Sequence, residues 1–202
     1  MTSKSKPKVG IIIGSTRPGR FADKPAAWIA ERAKAFDKFD VEIVDLRDYD
    51  IPLFEEKMSP AWGPSQSEAA RAWQAKIDSL DGFIVLAAEY NRGPTGALKN
   101  ALDYAYNEWN RKPVAFVGYG GVGGARAVEQ LRLISIELQM APIRTAVHIL
   151  LPDFMAVMQG EKQLAEIEHL NKGADDMLAQ FNWWLQTLTA ARRGETQEAE
   201  AA

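Results

Sequence analysis

Five short segments of the chain are apolar on consecutive residues, and stretches with helical spacing separate them. The segments are rich in Val, Ile and Phe and cover residues 9–13, 41–44, 83–86, 114–117 and 144–150. A strand with one solvated face alternates apolar and polar residues, whereas an unbroken apolar run suits a strand that is covered on both faces. The five segments therefore predict a parallel sheet with helices on both sides.

The stretches between the strands predict four helices, over residues 24–36, 67–80, 96–109 and 124–139. Asp23 is the predicted N-cap of the first helix, and Pro25 lies in its first turn. A last helix over residues 161–188 is expected to lie across the sheet. The alternation predicts one doubly wound, three-layer α/β domain over residues 8–188, with disorder in residues 1–7 and 189–202. The long irregular stretch 47–66 is expected to be functional or to lie at an interface.

Composition excludes several classes of function. The chain has no Cys, which excludes disulfides and cysteine-ligated metal centres and favours a reducing cytoplasm. The net charge is only −3 and no basic face is evident, so no nucleic acid partner is predicted. The apolar runs are shorter than the roughly 20 residues that span a bilayer, so no membrane partner is predicted either.

Metal or general-base chemistry is not predicted. Asp45, Asp48 and Asp50 follow the second strand and are interpreted as a solvated loop, and no His, Asp or Glu cluster has metal-ligand spacing. His148 and His169 are interpreted as packed or solvated side chains and not as bases.

The loop after the first strand has the features of a phosphate site. In an open α/β sheet, ligands bind at the carboxyl ends of the strands, so the loops after strands one, three and four are the candidate binding loops. The first loop, residues 14–22, places Ser15, Thr16, Arg17 and Arg20 before a helix. Hydroxyls, guanidinium groups and free N–H groups at the positive end of a helix dipole predict phosphate binding. The alternative is a surface turn with solvated Arg and Ser.

The loop after the third strand carries Glu89, Tyr90 and Asn91, whose backbone amides could face a planar ligand. The alternative is ordinary turn chemistry, with Asn91 making an Asx-type bond. Lys99 and Asp103 follow on the next helix, where a spacing of four residues predicts a surface ion pair.

The segment after the fourth strand spells the dinucleotide fingerprint G-x-G-x-x-G at residues 118–123. The fingerprint belongs after the first strand of its fold and requires an acidic residue about 20 positions on, and here neither condition is met. We therefore interpret residues 120–123, the glycine loop, as bare backbone that a flat ring can approach closely. A nicotinamide-dependent dehydrogenase that uses residues 118–123 is an alternative.

Three motifs, taken together, make the chain resemble the NADPH-dependent FMN reductases, whose relatives include chromate, quinone and azo-dye reductases. The motifs are G-S-x-R at residues 14–17, E-Y-N followed by L-K-N-x-x-D within residues 89–103, and Y-G-G-x-G-G followed by R-A within residues 119–127. The resemblance implies a flavodoxin-like fold, with a five-stranded parallel sheet in the order 2-1-3-4-5.

The resemblance also implies the cofactors FMN and NADPH. The first loop would hold the FMN phosphate, the backbone of Glu89 to Asn91 the pyrimidine side of the ring, and the glycine loop would lie along the ring. No catalytic side chain or metal is implied, because the flavin carries the chemistry: NADPH gives it a hydride, and a flavin, quinone, azo compound or metal oxyanion takes the electrons. The implied cofactor-binding residues are Ser15, Thr16, Arg17, Arg20, Phe21, Ala22, Glu89, Tyr90, Asn91, Gly120, Gly121, Val122 and Gly123.

Two residues depart from the family pattern. Ala88 stands where a Pro is usual, and Arg92 stands where a small residue is usual. Arg92 either changes the nicotinamide and substrate pocket or adds affinity for the NADPH phosphates. A non-enzymatic FMN-binding electron carrier and a redox sensor are alternatives to the enzyme. The resemblance favours a homodimer or homotetramer, and Trp62 and Trp109 are candidates for exposure at an interface.

Overall fold

The computed structural model describes residues 5–194, in which helices cover both faces of one parallel sheet. The strands are β1 (Lys8–Ile13), β2 (Asp40–Asp45), β3 (Gly82–Ala88), β4 (Pro113–Tyr119), β5 (Ala141–Pro142) and β6 (Val147–Ile149). The α-helices are α1 (Asp23–Phe36), α2 (Glu68–Asp78), α3 (Gly96–Asp103), α4 (Ala125–Glu137), α5 (Leu151–Met158) and α6 (Glu168–Arg192).

The sheet confirms the flavodoxin-like strand order. The strands lie in the order β2-β1-β3-β4, and the free edge of β4 pairs with β5 at one end and β6 at the other. Of the predicted fifth strand over residues 144–150 only Val147–Ile149 (β6) is a strand, and the short strand β5 at Ala141–Pro142 was not predicted. Between them, the Arg132 guanidinium of α4 donates to the carbonyl oxygens of Ile143 and Arg144, which therefore bind a side chain and not the neighbouring strand.

The central strands are buried on both faces, which explains their unbroken apolar sequences. Ile11 and Ile13 of β1 belong to the core beneath α1 and α6, whereas Ile12 belongs to the opposite core beneath α2 and α3. Ile13 pairs with Leu86, and Leu86 pairs with Val117. Because of this register, β1, β3 and β4 end at the same edge of the sheet and present their following loops side by side.

The first and third helices differ from their predicted bounds. Helix α1 starts at Asp23, so this residue lies inside the helix and the predicted N-cap role is wrong. The N-cap is Ala22, and the Asp23 carboxylate instead accepts a hydrogen bond from Arg20 Nε at 2.8 Å. Helix α3 stops at Asp103, and a separate 3-10 turn over Asn107–Trp109 completes the predicted stretch. The predicted Lys99–Asp103 ion pair is present, at 2.6 Å.

The C-terminal region holds the helix predicted over residues 161–188 as α6, which starts only at Glu168, and one further helix, α5, which was not predicted. Helix α5 follows β6 directly and has Pro152 in its first turn, where a missing N–H does no harm. Helix α6 then runs to Arg192, which binds Asp81 at 2.6 Å. Residues 1–4 and 195–202, which fall in the segments predicted to be disordered, lie outside the described residues. No helix within residues 5–194 has both the length and the apolar character needed to cross a bilayer.

Asn100 of α3 and Tyr104, which directly follows α3, hold the long irregular segment between β2 and α2. Asn100 Nδ2 donates to the Pro52 carbonyl at 2.7 Å, and Tyr104 Oη donates to the Leu53 carbonyl at 3.1 Å. Leu53 itself is exposed, as is Trp62 further along the segment. Residues 52–55 of this segment are thus fixed by polar contacts, while Leu53 and Trp62 face solvent.

The two Trp residues predicted to be exposed differ. Trp62 is 78% exposed, as predicted. Trp109 is buried, and the prediction is wrong for it: its ring packs edge-on against Phe83, with centroids 4.7 Å apart, and against Trp73.

Lys112, just before β4, is a buried ammonium group at the end of α2. Its Nζ donates to the carbonyl oxygens of Ile77 at 2.9 Å and Asp78 at 3.1 Å, where the helix dipole favours a positive charge. Burial nevertheless lowers the pKa of Lys112 from 10.5 to about 8. Between pH 8 and 10.5, Lys112 is therefore protonated in a larger fraction of the unfolded chains than of the folded ones. Its contribution to the free energy of unfolding consequently rises with pH.

We expect the pH dependence of unfolding to change in the variant Lys112→Met. From pH 7.5 to 10, the unfolding free energy of the unaltered protein should rise by about 1 to 3 kcal/mol relative to that of the variant. Urea unfolding of both proteins at the two pH values measures this, since all other titrations cancel in the difference. A difference that stays constant across the range would contradict the prediction.

Candidate functional site

The three loops predicted to bind a ligand meet at the carboxyl edge of the sheet. Ser15 Oγ of the first loop lies 3.2 Å from Tyr90 Oη of the loop after β3, and the Arg17 guanidinium lies 5.9 Å from the centroid of the Tyr90 ring. The Thr95 hydroxyl, which also caps α3, donates to the Gly14 carbonyl. The Glu89 carboxylate reaches the N-terminus of α4, directly after the glycine loop.

The first loop presents unpaired backbone amides. Within residues 5–194, no backbone N–H of residues 15–22 donates a hydrogen bond. The carbonyl groups of the loop do have partners: Arg20 donates to the Ser15 carbonyl at 2.8 Å, and Arg47 donates to the carbonyls of Thr16 and Arg17. The loop is thus held through its acceptors, and its donors remain free for an anion at the start of α1.

Arg20, predicted to bind phosphate, holds the loop through contacts within the protein. Its side chain is only 3% exposed, and its donors are all engaged by Asp23, Asp45 and the Ser15 carbonyl. The hydrogen bonds with Asp45 raise the pKa of Arg20 and lower that of the carboxyl group. Asp45 is therefore a partly buried structural partner and not the solvated residue predicted, whereas Asp48 and Asp50 are exposed.

The other predicted residues of the first loop fall into two groups. Thr16 and Arg17 are exposed, and the Arg17 side chain makes no hydrogen bond within the described residues. Phe21 and Ala22 are buried, and the Phe21 ring packs against Tyr119 with centroids 5.3 Å apart. A ligand can therefore meet the side chain of Arg17 but only the backbone of Phe21 and Ala22.

A tight backbone turn follows β3. Tyr90 and Gly93 exchange two hydrogen bonds of 2.9 and 3.1 Å, so the backbone closes this turn without an Asx-type bond. Asn91 and Arg92, the two central residues, have φ angles of +50° and +73°, as in a type I′ turn. Gln130 of α4 donates to the Arg92 carbonyl at 2.7 Å and anchors the turn. The amides of Asn91 and Arg92 have no acceptor among residues 5–194.

Glu89 links the turn to the glycine loop. Its buried carboxylate accepts a hydrogen bond from the Arg126 backbone N–H at 3.1 Å and pairs with the Arg126 guanidinium. Burial acts to raise the pKa of Glu89, but the hydrogen bonds from Arg126 outweigh it and lower the pKa. The N-cap of α4 is Gly124, which has no side chain, so a residue from another loop caps this helix.

The glycines after β4 serve two purposes. A Cβ at Gly124, whose φ is +66°, would lie 2.8 Å from the Ala87 carbonyl oxygen, so the fold itself requires glycine there. At Gly121, in contrast, a Cβ would meet no atom within 4 Å. His148 fixes the end of the glycine loop, because its Nδ1 lies 2.9 Å from the Gly123 carbonyl oxygen. The open side of the loop is at Gly121 and at Val122, whose side chain is exposed.

Tyr119 was not among the predicted site residues, although the third motif contains it. It is buried at the end of β4, and its hydroxyl makes no hydrogen bond of normal geometry within residues 5–194. Arg47 and Arg126 were also missed as loop-holding residues. The motif R-A signals Arg126, but no local pattern signals Arg47.

The residues of these loops do not line the other possible sites. A groove of about 980 Å³ lies beside α1 and is lined by Trp28 and Phe36, and another of about 610 Å³ lies near Tyr104. His169 is far along the chain from the glycine loop and binds Asp153 at 2.9 Å. No group of three or more His, Asp or Glu side chains in residues 5–194 is placed to hold a metal ion.

Known proteins resemble this chain over most of its length. The sequence model of NADPH-dependent FMN reductase matches residues 7–150. An NAD(P)H-dependent FMN reductase of Schizosaccharomyces pombe is 38% identical over 147 residues, which cover 71% of this chain and 74% of the relative. A 2-hydroxy-1,4-benzoquinone reductase of a Burkholderia species is 34% identical over 132 residues, covering 62% and 68% of the two chains.

The fold also has solved counterparts. The flavoenzyme NAD(P)H:(acceptor) oxidoreductase from Paracoccus denitrificans matches with a TM-score of 0.70 and covers 90% of this chain and 98% of its own, at 20% sequence identity. At that identity, the likeness concerns the fold alone.

Arg92 generates a prediction about stability. A non-glycine residue at a φ of +73° is strained by about 1 to 2 kcal/mol, and Gly removes this strain but adds freedom to the unfolded chain. We expect Arg92→Gly to raise the unfolding free energy by about 0.5 to 1 kcal/mol. Arg92→Ala is the control: it removes the same guanidinium but keeps the strained Cβ, so it should bring no gain in urea unfolding. Equal effects of the two variants would contradict the prediction.

Proposed function

Because this chain belongs to the NADPH-dependent FMN reductase family, we propose that the three loops of the candidate site bind FMN. The protein is an FMN-dependent NAD(P)H oxidoreductase. The first loop supports this placement of FMN most strongly, because free amides and the Arg17 guanidinium, which makes no hydrogen bond within residues 5–194, lie at the start of α1. Bound FMN would supply a ring that accepts a hydride and passes electrons on.

The first loop fits the phosphate group of FMN. Free N–H groups of residues 15–22 would donate to its oxygens, and Arg17 would add a charge-assisted hydrogen bond. Arg20 and Arg47 would keep the loop in shape, because they bind its carbonyl groups and leave its amides free. Ser15 is buried beside Tyr90 and would line the inner wall.

The other two loops fit the ring. The free amides of Asn91 and Arg92 would donate to the carbonyl oxygens and nitrogens of its pyrimidine side. Such donors would also stabilise the negative charge of the reduced ring. The bare backbone at Gly120 and Gly121 leaves the space that a flat ring needs, while Gly124 and Glu89 fix that backbone in place.

We further propose a quinone as the electron acceptor, in preference to a flavin, azo compound or metal oxyanion. The name of the Burkholderia relative supports this class. The exposed side chains of Val122 and Leu150, beside the glycine loop, would provide apolar surface for a small flat acceptor. Steady-state rates with these four acceptor classes test the choice, and a higher specificity constant for any other class would overturn it.

A homodimer or homotetramer that acts in the cytoplasm is also part of the proposal. Leu133 and Ile136 lie three residues apart on α4, and both are exposed apolar side chains. They would suit a subunit contact, whereas the lack of Cys suits a reducing compartment. We expect Leu133→Lys combined with Ile136→Lys to reduce the mass measured by light scattering. Trp183→Lys on α6 is the control for exposed apolar surface elsewhere.

An FMN-dependent NAD(P)H oxidoreductase should show a visible flavin band that responds to NADPH. The purified or FMN-reconstituted protein should be yellow, and anaerobic NADPH should bleach its visible band within seconds. Readmitting a quinone should restore the band. A protein that binds FMN but stays yellow with NADPH would support the electron carrier or redox sensor, and one that binds nicotinamide but no flavin would support the dehydrogenase.

The phosphate placement predicts a selective effect of Arg17→Ala. A charge-assisted hydrogen bond contributes about 1.5 to 3 kcal/mol, so FMN affinity should fall by roughly 10-fold to 150-fold. Arg20 cannot compensate, because its donors are engaged. Riboflavin, which lacks the phosphate, should bind the variant and the unaltered protein equally in fluorescence titrations.

Arg144→Ala is the matched control for charge. Arg144 is an exposed arginine between β5 and β6, and its loss changes the net charge of the protein by the same amount. It should leave FMN affinity unchanged. If Arg17→Ala weakened riboflavin as much as FMN, the first loop would not hold the phosphate.

A further inference from the structure

Tyr119 carries a buried hydroxyl without a partner, which is rare in a folded protein. The residue is only 6% exposed, and within residues 5–194 its Oη is the buried side-chain polar atom that lacks a hydrogen bond. Ser15 lies near enough to act on the hydroxyl, yet not in normal hydrogen-bond geometry. A buried donor without an acceptor destabilises the folded state, so its presence needs an explanation.

The hydroxyl lies beneath the first loop and not beneath the glycine loop. The Tyr119 ring packs on Phe21, and both residues belong to the core on the α1 face of the sheet. Charged groups near the hydroxyl are Arg20 and Asp23, which flank the start of α1. The hydroxyl therefore lies on the protein side of the loop whose amides are free, next to Ser15.

The Tyr119 hydroxyl is suited to donate a hydrogen bond to an anion. Burial, reinforced by the neighbouring Tyr90 hydroxyl, raises the pKa of Tyr119, so the group stays protonated and can act as a donor over the whole physiological range. The donors of Arg20 are engaged, which leaves Arg17 as the nearby exposed guanidinium without a hydrogen bond. An anion bound from outside by Arg17 would face two buried hydroxyl groups on its inner side, those of Ser15 and Tyr119.

We propose that Tyr119 is a binding residue for the phosphate group of FMN and that its hydroxyl finds its acceptor only when this group is bound. The inference rests on the proposed function. It adds one binding residue and a link between the stability of the apoprotein and its affinity for FMN. The apoprotein carries an unpaired donor, and the ligand removes the penalty. Stability without ligand and affinity for ligand should therefore respond to this hydroxyl in opposite directions.

The test compares two Tyr→Phe variants of the full chain, prepared without flavin. Tyr119→Phe should keep or raise the melting temperature of the apoprotein, since no internal hydrogen bond is lost. It should weaken FMN by roughly 10-fold or more, as expected for a hydrogen bond to a charged group, and leave riboflavin affinity unchanged. Tyr104→Phe is the control, because its buried hydroxyl binds the Leu53 carbonyl and the Glu55 amide. It should lower the melting temperature and leave FMN affinity unchanged.

Each contrary result has a separate meaning. Unchanged FMN affinity in Tyr119→Phe would overturn the inference, and so would an equal loss of riboflavin affinity, which would assign the hydroxyl to the ribityl chain or ring. Destabilisation or failure to fold would also overturn it, because that result requires an internal partner. If the unaltered protein bound neither flavin, the proposed function itself would fail.

Discussion

The buried Arg20 guanidinium is the interaction on which the geometry of the candidate site depends. It joins the first loop, the end of β2 and the start of α1, because it binds the Ser15 carbonyl, Asp45 and Asp23 at once. A buried charge is tolerated only when its donors are satisfied, and here two carboxylates and a carbonyl satisfy them. Arg20 thus holds the Ser15 carbonyl, while Arg47 holds the carbonyls of Thr16 and Arg17, and the amides of the loop are left free. Two arginines that bind the acceptors of the loop therefore determine which of its groups stay open to a ligand.

Several polar groups without a protein partner meet at one edge of the sheet. The free amides of the first loop and of Asn91 and Arg92, together with the Tyr119 hydroxyl, all lie at the carboxyl ends of β1, β3 and β4. Elsewhere, buried polar side chains such as Lys112 have backbone acceptors. Exposed loop amides are also unpaired elsewhere, as in residues 51–66, but folding normally pairs buried polar groups, so the Tyr119 hydroxyl is what distinguishes this edge within residues 5–194.

Most of the features that could be predicted follow from patterns of residues that lie close together in the sequence. The central strands, the helices between them and the three loops follow from runs of apolar residues and from turn residues close in sequence. The gap between β5 and β6 could not be predicted, because it depends on Arg132 of a neighbouring helix. Helix α5 was missed because Leu150 and Leu151 extend the apolar run of the strand before it. The role of Arg20 depends on Asp45, which is 25 positions away and carries no local signal.

Because Glu89 caps α4, the loop after β3 and the glycine loop cannot be exchanged separately between relatives. A graft that moved the segment from Gly120 to Arg126 into a relative without a glutamate equivalent to Glu89 would deliver a helix whose first turn lacks its acceptor. A graft that moved Glu89 alone would bury a carboxylate with no arginine beside it. Engineers who wish to exchange the ring-facing backbone of this fold should therefore transfer Glu89 and Arg126 as one cassette.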